Sequence, residues 1–285
     1  MTFPTPDEHG WYHIKHSLNA AEVGTLQELG HIEKLSVTEL PLVTVKLAKT
    51  LLKLRSLGQL WLWCDVTRSA MCQIIQIPRL RILDVLSIRR PGHLAFFERA
   101  ENLEEFSANF YVAEPDILEI AKCPSLKEVG IQNSELTYTA LDALLSLPHL
   151  QKLDLESTPF DDQMAKLISR STVLTSLDIG ATKISREGLQ HLVTMKQLRS
   201  LDLWATALSE RDLELLIDLP ALEYVSIGNY EHLPSLDAIK VVDLVLSIPN
   251  LRRVWLDGIR VEPTQLATLE AKLESVRVTS PDTAA

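Results

Sequence analysis

One pattern constrains this chain above all others. The motif L-x-x-L-x-L, with Val, Ile, Phe or Ala allowed at its apolar places, recurs along almost the whole length. Its first positions are Ile32, Leu57, Leu80, Leu103, Leu126, Leu150, Leu174, Leu198, Leu222, Leu251 and Leu273, separated by 22 to 29 residues. So regular a return implies one supersecondary unit used repeatedly. Such a unit cannot bury its apolar face alone and must stack on copies of itself.

Each unit divides into two halves. Segments such as "LQKLDLEST", "LTSLDIGAT" and "LRSLDLWAT" alternate with period two and predict a strand with one buried face. Segments such as "LTYTALDALLSL", "ISREGLQHLVTM" and "LSERDLELLIDL" carry helical spacing. Ser185 and Ser209 stand where helix N-caps belong, and Asp212 follows Ser209 at capping-box distance. The dipeptides Ile77-Pro78, Cys123-Pro124, Leu147-Pro148, Leu219-Pro220 and Ile248-Pro249 end the helices, since proline cannot continue them. Strands then repeat at about 4.8 Å and helices at roughly 10 Å, so the expected array bends with strands on its inner, concave side. The expected fold class is α/β, a solenoid with a parallel sheet on the concave face and helices on the convex face.

The run from Leu150 to Leu219, read as LxxLDLxxTxIxxxxLxxL, resembles the leucine-rich repeat family. Its repeat length and helical convex side are closer to cytosolic and bacterial subclasses than to extracellular receptor repeats. The resemblance implies a horseshoe and a protein-binding role, because members of the family mostly bind proteins; it names no partner. The family usually has Asn or Cys at the ninth position. Here three successive repeats have Thr158, Thr182 and Thr206, which predicts a buried threonine ladder bonded to backbone.

The expected organisation is one continuous domain: an N-terminal capping segment over 1–31, with a helix in "LNAAEVGTLQEL"; a repeat array over 32–261; a C-terminal capping repeat over 262–279; and a disordered tail over 280–285. The Leu222 repeat is five residues longer than the one before it. The extra residues fall in "GNYEHLPSLDAIK", where an insertion forms either a neutral loop or part of a binding rim.

Composition narrows the function. A formal charge of −10 argues against a nucleic-acid binder, despite the local gathering of Arg68, Arg79, Arg81, Arg89, Arg90 and Arg99. No apolar run is long enough for a transmembrane helix, and the start carries no secretory signal. Three irregularly placed cysteines make a disulfide framework unexpected and a reducing, cytoplasmic location the default. Cys123 stands where other repeats have an apolar residue before proline, and is expected to be core. His9, His13 and His16 have spacing that would suit a metal on a helix, but no cysteine or carboxylate supports them. Asp161 and Asp162 fall at a helix N-terminus, which favours negative charge. No phosphate loop, nucleophile elbow or zinc motif is present, so neither an enzyme nor a cofactor is expected, and a small-molecule ligand is not favoured.

What remains is the strand face. Positions three, five and seven of each repeat point away from the leucines. Position five places Asp154, Asp178 and Asp202 on successive strands, with Glu156 beside them, and so predicts preference for a basic partner. Trp61, Trp63, Trp204 and Trp255 fall on the same face with Tyr224, and Tyr230 lies in the insertion. Only Trp11 among the tryptophans falls outside this expectation. Exposed indoles and phenols mark interface hot spots. The leading expectation is therefore a non-enzymatic module that binds a protein or peptide in the groove. The alternatives are a substrate-recognition subunit or bacterial effector working with ubiquitin-transfer machinery, and an inhibitor or immunity protein that blocks another enzyme.

Overall fold

The computed structural model describes residues 5–17, 25, 26, 28, 31–87, 92–228 and 235–279. The chain divides into two compact units, residues 1–150 and 151–285. The first unit holds β1 (Trp11–Ile14), β2 (Lys34–Val43), β3 (Gln59–Val66), β4 (Ile82–Ser87), β5 (Glu105–Phe110) and β6 (Glu128–Ile131). Its helices are α1 (Val45–Leu51), α2 (Arg68–Ile74), α3 (Glu114–Ile120) and α4 (Tyr138–Leu145). The second unit holds β7 (Lys152–Asp154), β8 (Ser176–Asp178), β9 (Ser200–Trp204), β10 (Tyr224–Gly228), β11 (Arg253–Asp257) and β12 (Ser275–Thr279). Its helices are α5 (Asp162–Ile168), α6 (Arg186–Leu192), α7 (Glu210–Leu213), α8 (Ala238–Ser247) and α9 (Pro263–Lys272).

Within each unit every strand pairs in parallel with the next, and the register follows the repeat. In the first unit Leu35, Leu60, Leu83, Phe106 and Val129 are successive partners. In the second, Leu153, Leu177, Leu201, Val225 and Val254 are. None of these ten side chains is more than 2% exposed. Burying a leucine-sized side chain contributes roughly 1.5–3 kcal/mol, so a column of them holds a stack of strands that are individually too short to persist.

Helix caps, a threonine ladder and a left-handed turn finish the repeats that carry them. Helices start at capping residues: the side chains of Thr44, Thr67, Thr137, Asp161 and Ser185 accept backbone N–H bonds. Asp161 accepts from Met164 N at 2.9 Å, and Ser209 N donates to Asp212 Oδ2 at 3.0 Å. Asp162 reaches further than its place in the first turn required: its Oδ1 accepts from Ser185 N (2.8 Å) and Gly188 N (3.0 Å) of the next repeat. The threonine ladder is present and buried. Thr158, Thr182 and Thr206 each donate Oγ1–H to the carbonyl three residues earlier, at 2.7 Å, so each closes its own strand end. Cys123 is buried as core, and burial pushes its thiol pKa up.

The turn between strand and ladder requires left-handed backbone at the eighth position. Asn133, Ser157, Ala181 and Ala205 all adopt φ between 52° and 57°. An L-residue with a Cβ is disfavoured there by roughly 1 kcal/mol, and glycine is not. Ala205→Gly is therefore expected to stabilise the protein by about 0.5–1 kcal/mol, the gain being trimmed by glycine's looser unfolded chain. Equilibrium urea denaturation checks this. A destabilised variant would show that the Ala205 methyl packs more usefully than its backbone strains.

The N-terminal segment corrects two sequence expectations. Residues 11–14 form a strand, so the helical spacing imagined for His9, His13 and His16 does not exist. His13 instead lies between Ser36 Oγ (Nδ1, 2.6 Å) and Asp7 Oδ2 (Nε2, 3.1 Å). Trp11 is not apart from the strand face: it pairs with Lys34 in β2 and its ring packs on Trp61, centroids 4.0 Å apart. The proposed helix in "LNAAEVGTLQEL" lies mostly outside the described residues, as do Ile88, Arg89, Arg90, Tyr230, the core of the Leu222-repeat insertion, and the tail. No helix among the described residues is long and apolar enough to cross a membrane.

Candidate functional site

The strand face of the second unit carries the densest chemistry. Register turns the fifth position of each repeat into a row: Asp154, Asp178, Asp202, Ser226, Trp255 and Arg277, one per strand from β7 to β12. The seventh position gives a second row in β9 to β12: Trp204, Gly228, Asp257 and Thr279. Glu156 and Gly180 occupy the same repeat position just beyond β7 and β8.

The three aspartates have a local job that sequence spacing did not reveal. Each accepts, through Oδ1, the backbone N–H two residues on: Glu156 N at 3.0 Å, Gly180 N at 2.9 Å and Trp204 N at 2.8 Å. Those bonds cap the end of each short strand. They do not remove the electrostatic load. Burial, and then the Asp202 and Asp154 carboxylates, push the Asp178 pKa well above the usual carboxylate range. Asp202 is raised by burial too, against the opposing pull of Trp204 N and Ser226, and Glu156 by burial and then by Asp154 and Asp202. Asp154, Glu156 and Asp178 offer carboxylate oxygens within 4.8 Å of one another, close enough to hold a cation between them.

Trp204 is less free than its sequence position implied. Its indole crosses over Gly228 of β10, and Nε1 donates to Asp257 Oδ2 of β11 at 2.5 Å. The ring is half-buried with its donor engaged. Tyr224 is half-buried under the Arg253 guanidinium, 5.4 Å from its ring centre, and Arg277 lies 4.2 Å over Trp255. Three polar atoms of this face, Ser226 Oγ, Trp255 Nε1 and Thr279 Oγ1, are buried without a well-formed hydrogen bond. Ser226 Oγ lies fully buried beside the Asp202 carboxyl and the Tyr224 hydroxyl.

The structure thus brings Asp154, Glu156, Asp178, Asp202, Trp204, Tyr224 and Trp255 onto one face. Trp61 and Trp63 lie in β3 of the first unit, 37% and 49% exposed, with Trp61 partly shielded by Trp11. Tyr230 is outside the described residues. Sequence reasoning passed over Asp257, Arg253, Ser226, Gly228 and Arg277 as site residues. Carrying the fifth-position row one repeat further, to Leu273, would have found Arg277.

No family model matches the sequence, and no curated protein matches it either. Among solved structures, the chain is similar to an internalin of Listeria monocytogenes: 19% identity, 88% of this chain and 68% of that one covered, TM-score 0.53. It is also aligned with actin-binding site 2 of leiomodin-1, at 20% identity over 47% of this chain and 88% of that one. The TM-score there is 0.37, too low to carry an argument. Parallel strands in chain order, a helix or turn after each, and the internalin likeness together identify this chain's fold as the α/β leucine-rich repeat solenoid.

Proposed function

We propose that this protein is a non-enzymatic interaction module that binds a protein or peptide on the strand face of residues 151–285. One observation carries the reading: half-buried indole and phenol rings adjoin carboxylates held against their preference by burial and mutual repulsion. A cationic partner group relieves that repulsion, and the rings supply apolar contact area around it. Trp204, Tyr224 and Trp255 are the anchors; Asp154, Glu156, Asp178 and Asp202 select for positive charge. Trp61 and Trp63 offer a further aromatic contact on the first unit.

Affinity capture with the full chain, followed by mass spectrometry and then titration of the recovered partner, tests it. The double variant Trp204→Ala, Trp255→Ala is expected to weaken binding at least tenfold, as truncation of aromatic hot spots does. Unchanged affinity, with an unchanged circular dichroism spectrum, overturns the assignment of this face.

A further inference from the structure

The second position of each repeat lies just before the strand, and backbone bonds join it to the same position of the next repeat. Gly58 N donates to the Glu33 carbonyl (2.9 Å), Arg81 N to that of Gly58 (2.8 Å) and Glu104 N to that of Arg81 (2.8 Å). Charged residues at this position pair with such neighbours: Glu104 with Lys127 (3.2 Å), Arg199 with Glu223 (2.6 Å) and Arg252 with Glu274 (3.2 Å). Gly58 interrupts the series. Arg81 has a glycine on one side and, on the other, a Glu104 already held by Lys127. Among the described residues neither Arg79 nor Arg81 closes an ion pair. Nothing in the backbone requires glycine at position 58. Its φ is not positive, and a Cβ there would meet only the carbonyl oxygens of Arg79 (3.6 Å) and Glu33 (3.9 Å), both ordinary contacts. Where the side chain is missing, a cavity of about 340 Å³ opens in the first unit, near the lower end for small-ligand sites. Lys34, Arg79 and Arg81 line it against one carboxylate, Glu33, while Gln59 adds a polar wall; Glu101 borders the adjoining hollow with Arg99. A chain with a formal charge of −10 thus lines a cavity in which cations outnumber acids three to one.

We infer that this cavity binds a phosphate monoester. Such a group is close to dianionic at pH 7 and matches the surplus of two positive charges, which a single carboxylate would only halve. Guanidinium groups present planar forks that suit phosphate oxygens, and the bonds they make are charge-assisted. Lys34 Nζ uses one of its donors on the His9 carbonyl (3.2 Å) and keeps two. Glu33 stands across the gap, two strand spacings or about 10 Å from the Arg81 position, so it does not neutralise that guanidinium. A phosphorylated side chain of a partner protein and a free nucleotide carry this same group. The site lies in the first unit and does not rest on the strand-face reading of the second.

Isothermal titration of the full chain tests the inference. The probes are acetyl-Gly-Ser-Gly-amide, its phosphoserine form, its glutamate analogue and adenosine monophosphate. The phosphoserine peptide is expected to bind about tenfold tighter than the serine peptide and about fivefold tighter than the glutamate one, the scale of charge-assisted bonds to phosphate. Tighter binding of the phosphopeptide than of the nucleotide assigns the phosphate to a partner protein, and the reverse order to a free metabolite; either supports the site. Gly58→Glu puts a carboxylate beside Arg81, as Glu104 stands beside Lys127, and is expected to weaken phosphate binding about tenfold or more. Arg81→Gln, at an exposed position, is expected to do the same, whereas Gly58→Ala, whose methyl has room, retains binding. Failure of both phosphate probes to bind overturns the inference. So does equal affinity for the phosphoserine and glutamate peptides, or wild-type affinity in Gly58→Glu or Arg81→Gln. None of these outcomes bears on the strand face of the second unit, which the Trp204 and Trp255 variants test.

Discussion

Gly228→Ala is expected to destabilise the protein by about 1–3 kcal/mol and to dismantle the aromatic end of the site. The backbone at Gly228 does not demand glycine, since only Gly10, Gly92 and Gly258 among the described glycines have positive φ. Space does. A methyl built there would lie 2.5 Å from Trp204 Cδ1, 2.9 Å from the Asp257 carbonyl oxygen and 3.0 Å from Asp257 Cβ. The carbonyl belongs to the strand ladder and yields little, so the indole must move. Moving it breaks the Trp204 Nε1–Asp257 Oδ2 bond and leaves a carboxylate without its donor. At Gly180 the corresponding approaches are 3.3 Å, to Asp178 Oδ1 and the Trp204 carbonyl, so Gly180→Ala serves as the milder control. Thermal melts and tryptophan emission read both effects. A Gly228→Ala protein with native stability and an unshifted emission maximum would show that the indole has slack to give.

Asp178→Asn is expected to move stability the other way, by on the order of 1–2 kcal/mol at alkaline pH, or a shift of a few degrees in Tm. The amide oxygen can still accept from Gly180 N, so the strand cap survives while the charge is lost. In the wild type, burial and the neighbouring Asp202 and Asp154 raise the Asp178 pKa from 3.8 to about 8. The folded chain then binds a proton that the unfolded chain has released, so this group's contribution is complete below about pH 4 and is lost as pH rises through about 8. Asparagine never ionises. Variant and wild type should therefore melt alike near pH 4, separate progressively up to about pH 8 and keep a constant gap above it. Parallel pH profiles would mean that Asp178 is compensated in solution. Asp178→Asn should also weaken a basic partner, so the same substitution stabilises the fold while impairing the proposed site, a separation expected of residues kept for binding rather than for folding.

Much of this architecture was readable without coordinates because its determinants are local and repeated. Leu153, Leu177 and Leu201 become partners in register because each occupies the same place in its own repeat. The aspartate row and the threonine ladder follow from the same alignment. Strand β1 escaped because "WYHI" carries none of the repeat's leucine spacing; its pairing with β2 comes from the tertiary structure, and Trp11 comes with it onto Trp61. Within the site, the positions of Asp154, Asp178 and Asp202 were legible, but their bonds to backbone N–H groups were not. Those depend on a χ angle and on the turn at the strand end.

By itself, then, the sequence determined the repeating strand-and-helix unit, its register and which side chains share a face, since period-two alternation and a near-constant interval leave few other ways to bury the leucines. Tertiary structure alone decided how those side chains are used. Trp204 meets Asp257 across 53 residues of chain because a glycine between them on β10 leaves room for an indole. Arg253 and Arg277 settle on rings of the preceding strands. Burial of Asp178 and Asp202 raises their pKa values to a degree that no spacing in the sequence encodes, because desolvation depends on what the neighbouring strands place around each carboxylate.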